Sequence, residues 1–197
     1  EDAQAIYRDI KGRMAALGRD PDGMKIMPAG LVLVANSVDE AQERRARLDS
    51  LVNEDSAMAA LSIALGHDAS QFDPDAPLPD VPESNQSKSG RERAIALGQR
   101  ENLTVRQLAQ RLGGYSGNSF VGTAQTIADE MEAWFEAEAC DGFTVMFPYL
   151  PAGLDDFVDK VVPELQRREL LRRDYDGPTL RENLGLSRPD NQFFAKV

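Results

Sequence analysis

Cysteine and histidine are almost missing from this sequence, which holds one of each, Cys140 and His67, in 197 residues. A lone cysteine permits no internal disulfide and no cysteine-rich zinc site. A lone histidine excludes a histidine-based metal cluster, and any Ser-His-Asp triad would have to use His67. No run of eighteen apolar residues occurs, so no membrane-spanning helix is expected, and no signal peptide is visible. Basic residues are outnumbered, 22 against 33 acidic ones, for a net charge of −11. Such a surface repels nucleic acid and anionic membranes, and otherwise implies only solubility. Cys140 precedes an apolar run and reads as a packed thiol in a reducing, cytoplasmic compartment.

What is present suits a globular domain with a core: 42% hydrophobic and 28% charged residues. The first residue is Glu1, and a helical pattern begins almost at once, with Ile6, Ile10, Met14 and Leu17 spaced for one face. That stripe needs a partner, so the sequence reads as one that has lost an upstream portion. A turn rich in breakers follows at residues 19–23. Met24 to Ala35 reads as a strand buried on both faces, with a bend or bulge near Pro28 and Gly30. Ser37-Val-Asp-Glu40 fits a capping box that opens a charged helix to residue 52, with a thin apolar seam.

From about Asn53 the regularity breaks. Residues 58–66 read as a helix. Residues 68–102 carry prolines at 74, 77, 79 and 82 and then a polar run, which predicts an extended or mobile loop. A second capping box at Thr104-Val-Arg-Gln107 opens a helix that ends at Gly113-Gly114. The segment 120–123 leads into a helix carrying Ile127, Met131, Trp134 and Phe135. Phe143–Phe147 reads as a short buried strand stopped by Pro148. A last helix carries Leu154, Phe157, Val161 and Leu165, with Pro163 predicted to kink it. Alternating strands and helices favour a parallel α/β fold. Two strands make a poor sheet for so many helices, so the pattern reads as part of a larger barrel or doubly wound sheet.

The segments FVGTAQTIADEMEAWFEAEACDGF, MFPYLPAGLDDFVDKVVPELQRR and TLRENLGL, with YRDIKGRMAALGRDPDGMKIMPAGLVLV upstream, resemble the luciferase-like flavin monooxygenases. The resemblance is greatest to the nitrilotriacetate monooxygenase component A group, and it spans essentially the whole chain. It implies the C-terminal half of a (β/α)8 barrel over 1–197, with 53–119 a lid-like insertion after the seventh strand and 169–197 a C-terminal tail. It also implies use of reduced FMN and O2 on a small organic or xenobiotic substrate. The implied partners are a separate NAD(P)H:flavin reductase, a homo-oligomer and the N-terminal half of the same barrel. Two alternatives stay open: a non-catalytic interaction or assembly half-barrel, and a deazaflavin-dependent oxidoreductase, because GTxxxIAD is shared widely on this fold.

The resemblance also points to residues. An insertion between a barrel strand and its helix emerges at the C-terminal mouth, where barrel enzymes place their sites. Phe147, at the end of the last strand, and Tyr149, past it, are candidates to contact flavin, and Met146 to line the pocket; core filling is the competing reading. Tyr115 and Asn118, in the return loop GGYSGNSF, are candidate pocket or lid residues. The resemblance implies a histidine near Gly117 or Asn118, and neither is one here; Asn118 or Tyr115 taking its hydrogen-bonding role, absence of that role, and a plain glycine-rich return are the alternatives. His67 reads as a solvated loop residue, and Asp155 and Asp156 as helix-dipole partners. Gly122-Thr123 offers amides to a phosphate, although the flavin phosphate is expected upstream of Glu1.

Overall fold

The computed structural model describes residues 2–113, 118–191 and 193. In chain order its elements are α1 (Asp2–Ala16), β1 (Ala29–Val34), α2 (Val38–Ser50), α3 (Glu54–Leu65), α4 (Lys88–Arg100), α5 (Val105–Gly113) and β2 (Asn118–Gly122). Then come α6 (Ala124–Glu136), β3 (Thr144–Met146), α7 (Ala152–Asp156), a π-helical segment (Phe157–Val161), α8 (Val162–Arg167) and α9 (Leu180–Asn183). The chain divides into two units, residues 1–34 with 123–197, and residues 35–122.

In the first unit β1 and β3 pair in parallel, with Ala29, Gly30 and Leu31 opposite Thr144, Val145 and Met146. β1 is the hydrophobic centre: Leu31 through Val34 are each at most 4% exposed. That fits a parallel strand covered on both faces. The strand starts only at Ala29, because Pro28 has no amide to donate. Its carbonyl still accepts from the Thr144 amide at 3.0 Å.

The polar anchor of this unit is Asp141. Its carboxylate accepts from the Ile26 amide at 2.7 Å and the Tyr7 hydroxyl at 3.0 Å, and pairs with Lys11 at 3.2 Å. The Asp141 amide returns a bond to the Ile26 carbonyl at 2.8 Å. Lys11 also donates to the carbonyls of Pro21 and Met24. Burial opposes charge on Asp141, yet these donors outweigh it and hold the carboxyl below its ordinary range. Burial, and then the bond to Asp141, push the Tyr7 phenol up to about 12. The helix predicted for α1 is present, but its working face is not the apolar stripe. Met14 is buried, whereas Ile6 and Leu17 are 56% and 77% exposed. α1 is held instead through the polar Gln4, Tyr7 and Lys11, with Met14 the one member of the stripe that is buried, all at helical spacing.

A second clasp joins α6 to α8. The Arg168 guanidinium, with a side chain only 10% exposed, meets Asp129 at 2.6 Å, Glu132 at 2.7 Å and Glu164 at 2.8 Å. Hydrogen bonds from Arg167 and Arg168 pull Glu164 down to about 2. Pro163 was expected to kink the last helix. The disturbance lies just before it, where the π-helical turn inserts a residue and buries Phe157 and Val161. After Arg168 the chain is turn-rich, as predicted, apart from α9, which Thr179 and Glu182 cap reciprocally.

The second unit is helical with one strand. Ser37 caps α2 as predicted, but Glu40 reaches one residue further back, to the Asn36 amide at 3.0 Å. The Thr104–Gln107 box forms as expected. The extended loop predicted over 68–102 is corrected: residues 88–100 form α4, capped by Ser87. The inward positions of α4 include Ala94 and Gly98, so its apolar stripe is too small to register as periodicity. Leu108 packs so close to Gly98 that a Cβ there would lie 3.2 Å from it. The proline stretch is a strap pinned to α3 and α4. Val81 is buried, His67 Nε2 bonds the Pro82 carbonyl at 3.0 Å, and Arg91 donates to the carbonyls of Pro82 and Val81. Gly66 ends α3 at φ +69°, where any side chain would collide with Ser84 and Gln86.

Two outcomes follow from these anchors. Asp141→Asn is expected to cost about 2–3 kcal/mol at neutral pH, since removing one partner strands Lys11 in a largely buried pair. The folded pKa of Asp141 is depressed, so its contribution is present above the unfolded carboxyl pKa and is lost as pH falls through the folded one. Denaturant titrations from pH 7 to pH 2 should therefore show a shallower acid limb in the variant. The raised Tyr7 acts at the other end: its contribution is full below the unfolded value and is lost as pH rises through about 12. Separately, Arg168→Met should lower stability by about 2 kcal/mol, roughly 4–8 °C in Tm, by leaving three carboxylates facing one another. Thermal unfolding should show part of that loss recovered at high salt.

Candidate functional site

The C-terminal end of β3 follows from strand alternation. Val145 points toward the helices, where it lines a cleft of about 370 Å³ with Met131, Phe135, Phe143, Leu165 and Leu171. Its neighbours Thr144 and Met146 therefore point to the opposite face. Both are exposed, Met146 at 45%, as is Ala29, which shares that face through the strand pairing. The expectation that Met146 fills a core is not met within this chain. Leu31 beside it on β1 is buried.

Phe147 comes next and returns to the helical side. Its ring lies 5.6 Å from that of Phe157, tilted by 56°. The π turn is what brings Phe157 into reach, because it shifts the helix register one residue ahead of Pro163. Tyr149 packs its ring against the Gly153 backbone in the first turn of α7, and Phe147 meets the same glycine. Tyr149 is half-buried, and its hydroxyl makes no hydrogen bond to a described residue. Met146, Phe147 and Tyr149 thus come together at one strand end in three roles. Met146 faces the open side, Tyr149 presents a hydroxyl, and Phe147 supports the turn.

The remaining candidates separate from these. Tyr115 lies outside the described residues, as does the side chain of Asn118; the Asn118 backbone begins β2. Thr123 caps α6 in a reciprocal pair with Thr126, whose amide it occupies at 3.2 Å. Asp156 pairs with Lys160 at 2.7 Å across the π turn, beyond a dipole role, while Asp155 stays in the first turn of α7. His67 is spent on the strap. Cys140 is buried, and burial pushes its thiol up, so it stays an unreactive packed group. Among the described residues no group of three or more His, Cys, Asp or Glu could hold a metal ion, and no helix is long and apolar enough to cross a membrane. The Asp141 node and the Arg168 clasp escaped the sequence reading. The one signal for Asp141 was its place in a Cys-Asp-Gly break, which reads as a turn.

The second unit carries a shallow polar cleft of about 440 Å³ between the end of α2 and α5. Its charged groups are engaged within it: Arg45 with Asp49 at 3.0 Å and with Ser119 at 3.2 Å, and Arg111 with Glu101 at 3.8 Å.

No protein-family model matches the sequence. Among curated proteins, nitrilotriacetate monooxygenase component A of Aminobacter aminovorans is 49% identical over 193 residues, which are 96% of this chain and 43% of that protein. Among solved structures, DmoA from Hyphomicrobium sulfonivorans superposes with a TM-score of 0.77 at 30% identity, over 92% of this chain and 38% of that one. A riboflavin lyase solved with modified FMN and riboflavin gives a TM-score of 0.75 at 28% identity, over 93% and 40%. This chain spans about two fifths of the length of each of these proteins. Along nearly its whole length, in sequence and in fold, the chain is a homologue of part of the luciferase-like monooxygenases, in the group of nitrilotriacetate monooxygenase component A.

Proposed function

We propose that this chain forms the C-terminal part of a (β/α)8 barrel that acts as an FMNH2-dependent monooxygenase on a small organic substrate. The 49% identity to nitrilotriacetate monooxygenase component A across 96% of the chain carries the reading. The exposed Ala29, Thr144 and Met146 support it, since a barrel would turn that end of the strand pair inward and cover it with further strands. In chain order residues 53–119 fall between β1 and α6, where a barrel would carry a lid at its mouth. The remainder of the barrel would come from the part of the relatives that this chain does not span.

The residues at the β3 end fit a flavin in one respect. Met146 and Tyr149 offer an apolar wall with a single hydroxyl, which suits the edge of a flat, partly polar ring. None of Met146, Phe147 and Tyr149 carries charge, so the cofactor phosphate would be held by other residues. Bound FMN would supply the reaction with O2. Met146 would exclude water from one side, Tyr149 would hold a polar atom in place, and Phe147, braced on Phe157, would keep the turn from moving. The same reading includes a separate NAD(P)H:flavin reductase and a homo-oligomeric assembly.

In the intact protein, oxygen uptake should require reduced FMN from a reductase or a chemical reductant. Turnover with NADH alone would sink the proposal. Tight FMN binding by the 197-residue chain in calorimetry would instead move the phosphate site into these residues. Met146→Asp should change the stability of this chain by less than about 0.5 kcal/mol, because the side chain is exposed. In the intact enzyme it should lower coupled turnover at least about ten-fold by placing a charge against the ring.

A further inference from the structure

We propose that residues 53–113 form an autonomous folding unit that opens and closes as one cooperative piece while α6 and the π-helical segment stay folded. Every buried residue of this segment's core lies within it, with Val52 packed against the edge. Leu61 and Leu65 of α3 and Val105 and Leu108 of α5 are fully buried, joined by Val81 of the strap and Ala94 of α4. Four separate stretches of the segment therefore bury one another.

The segment is also closed at its ends. Gly113, the last residue of α5, packs so tightly on Ala57 in the first turn of α3 that any Cβ would collide with the Ala57 backbone. Arg106 of α5 bridges Glu54, at the start of α3, and Asp75 of the strap. A segment whose ends already meet needs nothing outside it to close its loop. Its helix termini are satisfied internally too: Asn53 caps the start of α3, Gly66 ends it, and Ser87 and Thr104 cap α4 and α5. Single-core domains of about 60 residues fold alone, although marginally. Marginal stability in a complete core is the signature of a separately opening unit.

Native-state hydrogen exchange on the whole chain tests this. Leu61→Ala removes a fully buried side chain, and the amides of Leu65 and Leu108 should exchange at least about thirty-fold faster. The amides of Ile127, Met131 and Val161 should keep their wild-type rates. Val161→Ala should give the opposite pattern, faster at Ile127 and Met131 and unchanged at Leu65 and Leu108. If Leu61→Ala leaves 53–113 fully unfolded, retained protection at Ile127 and Val161 supports the proposal. Loss of that protection overturns it. Equal acceleration on both sides by either variant, or unchanged exchange of Leu65 and Leu108 in Leu61→Ala, overturns it as well.

Discussion

Asp141 sits where the chain turns into β3, and the rest of its unit is arranged around that carboxylate. Three donors from two separate segments converge on it: the Ile26 amide, the Tyr7 hydroxyl and the Lys11 ammonium. With the Asp141 amide bound to the Ile26 carbonyl, the segment before β1 and the segment before β3 are locked side by side. That lock sets the register in which Ala29 meets Thr144, and the register decides which face Met146 takes. A one-residue slip would turn Met146 toward the helices and Val145 outward. The orientation of the candidate site is thus decided at the opposite end of the strand, by a largely buried charge whose desolvation is offset by three converging donors.

On the helical side the same logic uses one cation instead of one anion. Arg168 gathers carboxylates from α6 and α8, and its fork geometry suits several acceptors at once where a lysine would satisfy fewer. Between this clasp and β3 the π turn lets α7 and α8 continue past Pro163 while Phe157 stays under Phe147. The helix tolerates a proline because its register has already been shifted upstream. The aromatic pair is the mechanical link between the helical layer and the strand end.

Much of this was legible in residue order. The serine cap at Ser37 and the capping box at Thr104 have local physical causes and appear where expected, and both expected strands are present, though shorter, over Ala29–Val34 and Thr144–Met146. What was not legible depended on partners distant in sequence. α4 hides because its inward face is built from alanine and glycine, which score as weakly apolar although they are buried against Leu108 and its neighbours. The buried face of α1 was misassigned because polar side chains at positions 4, 7 and 11 do the binding while Ile6 and Leu17 stay outside. At the candidate site, the strand end could be located from Phe143–Phe147, but which side chain faces which way awaited the register. The family itself was legible from long segments such as MFPYLP and GLDDFVD, which no periodicity argument would have connected to flavin chemistry.

The second unit begins and ends at one point, since the Ala35 amide donates to the Gly122 carbonyl at 2.9 Å. The two ends of such a segment are already neighbours. The host closes the same short gap whatever hangs from it, and lengthening the segment adds only a slowly growing entropic cost. Genetic exchange can therefore act here with little penalty. One descendant can acquire a larger segment and another a differently shaped one, each ending in the same two residues. Divergence would then accumulate between Ala35 and Gly122 while these two ends keep their bond.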